Sequence, residues 1–215
     1  VTVVRPRRTG ALALTVVGAL LLVGCGSMKA GSAAVVGDNS LPESSVSDSG
    51  QEILDIAANN DIQAPATADL NARLVGIWVE TQLTDALAAQ EGVSVTAGDV
   101  DTFLSRLGDL DVLQIAVSAG IVPSALDQAA KTQLLQQQLA LRLAPNGTPE
   151  EQGAALREAL AATGAELGVS VNPRYATYDA ATALVGARSA DGLSKPEPQP
   201  SLDTGGGTPL APPAG

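Results

Sequence analysis

Apolar residues recur at steps of three and four through long parts of this 215-residue chain, a pattern that predicts a mainly helical body. From Asp69 to Glu91, one face carries Leu70, Leu74, Val75, Trp78, Val79, Leu83, Ala86 and Leu87, and Gly92 stops the helix. A shorter helix is expected from Ala97 to Leu107, with Val100, Phe103, Leu104 and Leu107 inward. The next runs from Pro123 to Leu143, burying Leu126, Ala130, Leu134, Leu135, Leu139 and Leu143 beneath a glutamine-rich outer face, Gln136 to Gln138. After Pro145-Asn146-Gly147, an alanine-rich helix from Glu150 to Leu167 offers Leu156, Leu160 and Leu167 as its larger contacts. Four segments place a hydroxyl three residues before an acid, the spacing by which a side chain satisfies the free amides of a helix start: Ser40 to Glu43, Thr96 to Asp99, Ser124 to Asp127 and Thr148 to Glu151.

Alternation with a period of two is confined to the two ends of this body. Ala33 to Gly37 is short, β-branched and closed by a turn cluster, and Val169 to Asn172 alternates apolar with polar before Pro173. Neither strand is stable alone, so the two are expected to pair with each other as a small two-stranded sheet that brings the ends of the body together. Val35 and Val171 are the natural positions for an engineered crosslink.

Ahead of the body, Arg5, Arg7 and Arg8 precede an uncharged apolar run from Ala11 to Gly24, shorter than the roughly 20 residues that span a bilayer. Leu22-Val23-Gly24-Cys25 then matches the lipobox of bacterial lipoproteins, whose cysteine is acylated and becomes the mature N-terminus. Residues 1–24 are expected to be a signal peptide, 25–32 a lipidated tether, 33–188 the helical domain and 189–215 a disordered tail rich in proline and glycine. The expected location is the outer side of the cell membrane, in the cell envelope, held to the lipid bilayer through acylated Cys25. Two or more acyl chains give stable anchoring where one is marginal.

Removing the three leader arginines leaves nine basic residues against 23 acidic ones, a net charge of about −14. That balance argues against nucleic acid as a partner, because its phosphates are bound by lysine and arginine. The single cysteine is committed to lipidation, so no intramolecular disulfide is available and the core holds by burial. The chain has no histidine, which removes the usual general base near neutral pH and every histidine-based metal site. The close acidic pairs Asp99/Asp101 and Asp109/Asp111 face different ways on a helix and read as solvated surface. No catalytic residue, metal or cofactor is expected.

The strand, turn and helix of "AAVVGDNSLPESSVSD", followed by "LVGIWVETQLTDALAAQEGVSVTAGDVDTFL", resemble the N-terminal chaperone domain of the SurA/PrsA family of parvulin-type foldases. The phrase from Gln90 to Asp101 carries the likeness: a glycine ends one helix, a short extended link crosses, and a threonine caps the next. "SAGIVPSALDQAAKTQLLQQQLALRL" is similar to the family's following turn and helix, and "VSVNPRYATYD" to a closing strand in related actinobacterial lipoproteins. Only about 25 residues separate Leu143 from Val169, too few for the family's isomerase module. The resemblance therefore implies a SurA N-terminal-like helical domain with the chaperone half of the activity, the binding of unfolded exported polypeptides, and no isomerase. Candidate peptide-binding residues are Trp78, Phe103, Ile121, Tyr175 and Tyr178. The alternative is a non-enzymatic envelope scaffold or accessory subunit that binds one folded partner.

Overall fold

A computed structural model describes residues 29–107 and 112–187. Strand β1 (Ser32–Val36) opens it, one residue ahead of the expected start of the body. It is followed by β2 (Asn39–Pro42), α1 (Glu43–Asn59), α2 (Thr67–Glu91), α3 (Ala97–Ser105), α4 (Val112–Ala119), a 3-10 turn (Pro123–Ala125), α5 (Leu126–Leu143) and α6 (Pro149–Leu167). Three short strands close it: β3 (Val169–Val171), β4 (Ala176–Asp179) and β5 (Leu184–Ala187). The lipobox with Cys25, the leader, the Asp109/Asp111 pair and the 189–215 tail lie outside the described residues.

Helix α2 is the axis of the body, packing on α1, α5, α6, β1 and β5. Val75, Val79, Leu83 and Leu87 are buried along it, in keeping with the periodicity read from the sequence. Leu135 and Leu139 of α5, Leu160 of α6 and Ala33, Ala34 and Val36 of β1 complete the main cluster. Each fully buried leucine or valine stabilises the fold by about 1.5–3 kcal/mol relative to exposure. A smaller cluster of Ile53, Ala57, Leu70 and Val117 joins α1 and the start of α2 to α4.

The two ends of the body do pair. β1 runs antiparallel to β3, with Ala34 opposite Val171, Val35 opposite Ser170 and Val36 opposite Val169. Val35 and Val171 are thus one residue out of register, which sends their side chains to opposite faces of the sheet. The sheet has three strands instead of two, in the order β2-β1-β3, because the chain reverses at Gly37-Asp38 and pairs Asn39 with Val36. Gly37 makes that reversal with φ +56°, a conformation open to glycine without strain. A strand flanked on both edges and covered by helices has no solvated face, which is why all five residues of β1 are buried.

β2 also overturns one expected cap. Ser40 is spent in the strand, Pro42 precedes α1 with extended backbone, and no side chain caps that helix. Glu43 instead accepts a hydrogen bond from Asn172 Nδ2 at 2.9 Å and faces Arg174 at 3.9 Å, tying α1 to the segment after β3. Ser124 fails as a cap for a different reason: Pro123 begins a 3-10 turn, so Ser124 lies inside it and Ala125 precedes α5 with no side-chain bond. Thr96 and Thr148 form the expected reciprocal boxes. Thr96 N–H donates to Asp99 Oδ2 at 2.9 Å, and Thr148 N–H donates to Glu151 Oε2 at 2.7 Å.

The second hairpin, β4 with β5, has no counterpart among the sequence expectations. Tyr178 stands opposite Val185 and Asp179 opposite Leu184. Its turn is held by Asp179, whose carboxylate accepts from Ala181 N–H and Thr182 Oγ1, each at 2.9 Å. Those bonds hold the Asp179 carboxyl below the usual aspartate value, the Ala181 N–H contributing most. The hairpin lies against α2, where Gly76 leaves room for Val185: a Cβ there would stand 3.5 Å from Val185 Cβ.

Candidate functional site

An apolar groove opens where α3, α4 and α5 meet. α4 and the segment from Pro123 to Leu143 turn through 95°, so the two cannot lie flat against each other, and α3 closes the third side. The cavity between them measures about 410 Å³ and is lined by Phe103, Leu107, Val112, Ile115, Ile121 and Leu126 among others. Ile115 is 50% exposed on its rim. Gly120, at φ +75°, makes the corner after α4, and Arg73 Nη1 secures it by donating to Ser118 O at 2.7 Å.

Two of the five candidate contact residues, Phe103 and Ile121, are brought together in this groove. The other three are elsewhere. Trp78, Tyr175 and Tyr178 pack against the main core. Tyr175 sits beside Glu43, and burial, reinforced by that carboxylate, pushes its phenol above the usual tyrosine value. Tyr178 lies over α6 at Gly164; its hydroxyl is buried without a hydrogen-bond partner among the described residues. Burial, with Asp179 adding to it, raises its phenol as well.

The groove wall formed by α4 escaped the sequence reading. Val112, Leu113, Ile115, Ala116 and Val117 form a compact apolar run in a helix of only eight residues, little more than two turns, too short for a period to separate an inner from an outer face. The glutamine face of α5 is likewise divided. Gln136 turns inward, donating to Glu80 Oε1 at 2.6 Å and to the buried Thr84 Oγ1 at 3.3 Å, while Gln137 lines the groove.

Among its described lining residues the groove holds no titratable side chain: the polar groups are the amides of Gln133 and Gln137. Such a surface can bury apolar side chains and offer hydrogen bonds to a neighbouring backbone. It supplies no acid, base or nucleophile. Asp99 is spent as the α3 cap, and its carboxyl is held below the usual aspartate value by the Thr96 hydroxyl and, second, the Thr96 N–H. Among the described residues no group of three carboxylates converges in a metal-binding arrangement, and no single helix is long and apolar enough to cross a membrane.

The fold and this site define a mainly α body with two small antiparallel sheets and an open apolar groove. No family model matches the chain, and neither the curated proteins nor the solved structures contain a significant match to it.

Proposed function

We propose that this chain is an extracytoplasmic lipoprotein, anchored to the cell membrane through acylated Cys25, that holds apolar segments of exported polypeptides without isomerising them. The carrying observation is the 410 Å³ groove, open to solvent and lined almost wholly by apolar side chains. An exported chain that has not yet folded exposes leucine, valine and aromatic side chains, and a groove of this size removes one or two of them from water. The burial is worth about 25 cal/mol per Å² of apolar surface, enough for reversible holding and too little for permanent capture. The lipobox and the resemblance of the Gln90–Asp101 phrase to the SurA/PrsA chaperone domain support the same reading.

The test uses the full chain in nanodiscs and several unrelated clients diluted from denaturant, with light scattering as readout. Ile115→Asp, at a half-exposed rim position, and Phe103→Asp are expected to abolish suppression of client aggregation while leaving the circular dichroism spectrum unchanged. Undiminished suppression by both variants overturns the assignment to the groove. Absence of suppression, together with one stoichiometric folded partner in a pull-down, supports the scaffold instead. For the anchor, Cys25→Ser is expected to release the protein from the membrane fraction, and persistent membrane fractionation with an unchanged cleavage site overturns it.

A further inference from the structure

The groove does not end at α3 and α4. On α5, Leu126, Ala130, Gln133, Gln137 and Leu141 follow one another at steps of three and four, a stripe along one face of the helix. The first four line the groove, and Gln133, Gln137 and Leu141 line a second cavity of about 390 Å³ walled by α6 at Gln152, Gly153 and Leu156. A third cavity, of about 280 Å³, continues from it through Gln136, Gly153 and Leu156 to the β4–β5 turn at Thr182–Val185. Each cavity shares lining residues with the next.

The exposed apolar side chains follow the same course. Four large ones stand out among the described residues: Ile115, Leu141, Leu167 and Leu184. Ile115 belongs to the first cavity, Leu141 (55% exposed) to the second and Leu184 (59% exposed) to the third. Leu167, at the end of α6, lies off this line. Single exposed apolar side chains need no explanation, but three large ones on one continuous trough do. Between them the exposed Gln137 and its neighbour Gln133 present amides that both donate and accept, the groups that pair with an extended backbone.

The third cavity carries one side chain of each sign in its lining, Glu80, which accepts from Gln136, and Arg157, so selection by charge comes from the excess of the whole body. The described residues carry 18 acidic and seven basic side chains, and three of the seven bases are already paired: Lys131 with Asp85, Arg142 with Glu91 and Arg174 with Glu43. A second copy of this chain brings the same negative excess and is repelled. A segment with lysine or arginine between its apolar residues is attracted and steered.

We infer that the trough along α5 takes an extended, cationic segment of a polypeptide, its apolar side chains seated at the Ile115, Leu141 and Leu184 stations and its backbone met by Gln133 and Gln137. This rests on the holding function proposed above and adds selection by charge and by extended conformation. From Leu126 to Leu141 the stripe is about 22 Å long at 1.5 Å per helical residue, which an extended strand covers in about seven residues.

The test measures fluorescence anisotropy of labelled ten-residue peptides with leucine at alternate positions, the others being lysine in one peptide and glutamate in another. Each is titrated with the full chain in zwitterionic nanodiscs, with empty nanodiscs as control. The lysine peptide is expected to bind at least about ten-fold more tightly than the glutamate peptide at 10 mM salt, the ratio falling towards one at 1 M as the screening length shrinks. Leu141→Lys and Leu184→Lys, at exposed positions where the fold tolerates charge, are each expected to weaken the lysine peptide several-fold. Equal binding of the two peptides at low salt, or no effect of either substitution, overturns the inference. So does a dimer in sedimentation that Leu141→Lys dissociates, because the occupant is then a second copy. If those arms fail while the full chain still suppresses aggregation of unfolded clients, the holding function stands and the charge-selecting trough alone is lost. If neither peptides nor clients bind, both fall.

Discussion

Gly164, buried in α6, offers a test of how the β4–β5 hairpin is fastened to the bundle. The position its missing Cβ would take is occupied by the Tyr178 hydroxyl oxygen, with Tyr178 Cζ at 3.5 Å and Leu83 Cδ1 at 3.6 Å. In an open helix, glycine to alanine is worth about 0.8–1 kcal/mol in favour of alanine. Here the methyl overlaps an oxygen, and overpacking of a filled interior costs about 1–3 kcal/mol, so Gly164→Ala is expected to destabilise the chain by about 1 kcal/mol net. Tyr178→Phe removes both the overlapping atom and a buried hydroxyl that has no partner among the described residues. An unsatisfied buried hydroxyl costs about 1–3 kcal/mol, so this substitution alone is expected to be neutral or stabilising. Once Tyr178→Phe has removed the hydroxyl, the remaining neighbours of the added methyl are at ordinary contact distance. Gly164→Ala should then recover its helix gain of about 1 kcal/mol. The two substitutions are therefore expected to be coupled by about 2 kcal/mol, measurable as a double-mutant cycle by urea unfolding of the full chain followed by circular dichroism. If Gly164→Ala stabilises the chain while Tyr178 is present, the hairpin is not seated on α6 through this tyrosine and the reasoning fails.

Other outcomes follow from single contacts. Leu139 is fully buried where α5 meets the main core, and Leu139→Ala is expected to lose about 2–5 kcal/mol in the same urea assay. Cysteines at Val35 and Ser170, which face each other across β1 and β3, are expected to close a disulfide, because opposed antiparallel residues stand about 4.5–5.5 Å apart; Val35 with Val171, one out of register, is not. Asp99 has a folded pKa below its unfolded one. Its contribution to α3 is therefore complete above the unfolded aspartate pKa and disappears as the pH falls through the depressed folded value. Protection of the α3 amides, taken against the intrinsic exchange rate at each pH, should fall over that acid window, and Thr96→Ala, which removes the hydroxyl but keeps the backbone N–H bond to Asp99, should shrink that fall without abolishing it.

Much of the bundle was legible because its signals are local. The stripe of α2, the left-handed Gly92 that ends it and the boxes at Thr96 and Thr148 each lie within a few residues of chain, and all reappear in the structure. The pairing of β1 with β3 joins residues about 135 apart, yet it was legible by economy: two short β-branched segments each need a partner. What failed was decided by competition between uses of the same residues. Ser40 can cap a helix or extend a strand, and the reversal at Gly37 committed it to β2. The hairpin of β4 and β5 was hidden because Tyr178 and Val185 depend for their burial on the space left by Gly76 and Gly164, on helices separated from them by other elements.

The groove was illegible for a further reason that bears on how such sites arise. Periodicity assigns an apolar residue to the inside of its helix without saying whether a neighbour covers that face. Phe103, Leu107 and Leu126 carry the same inward signature as Leu135 and Leu139. The difference between core and groove lies in α4, eight residues long and set at 95° to the segment that follows, which props the three helices apart instead of filling the gap between them. A longer or better aligned α4 would have buried Phe103 and Ile121, and the trough along α5 would have lost its apolar end. The geometry of one short helix therefore separates an open apolar groove from an ordinary hydrophobic core, and because Gly120 turns the corner after α4 at φ +75°, Gly120→Ala is expected to strain that corner and destabilise the chain in the same urea assay.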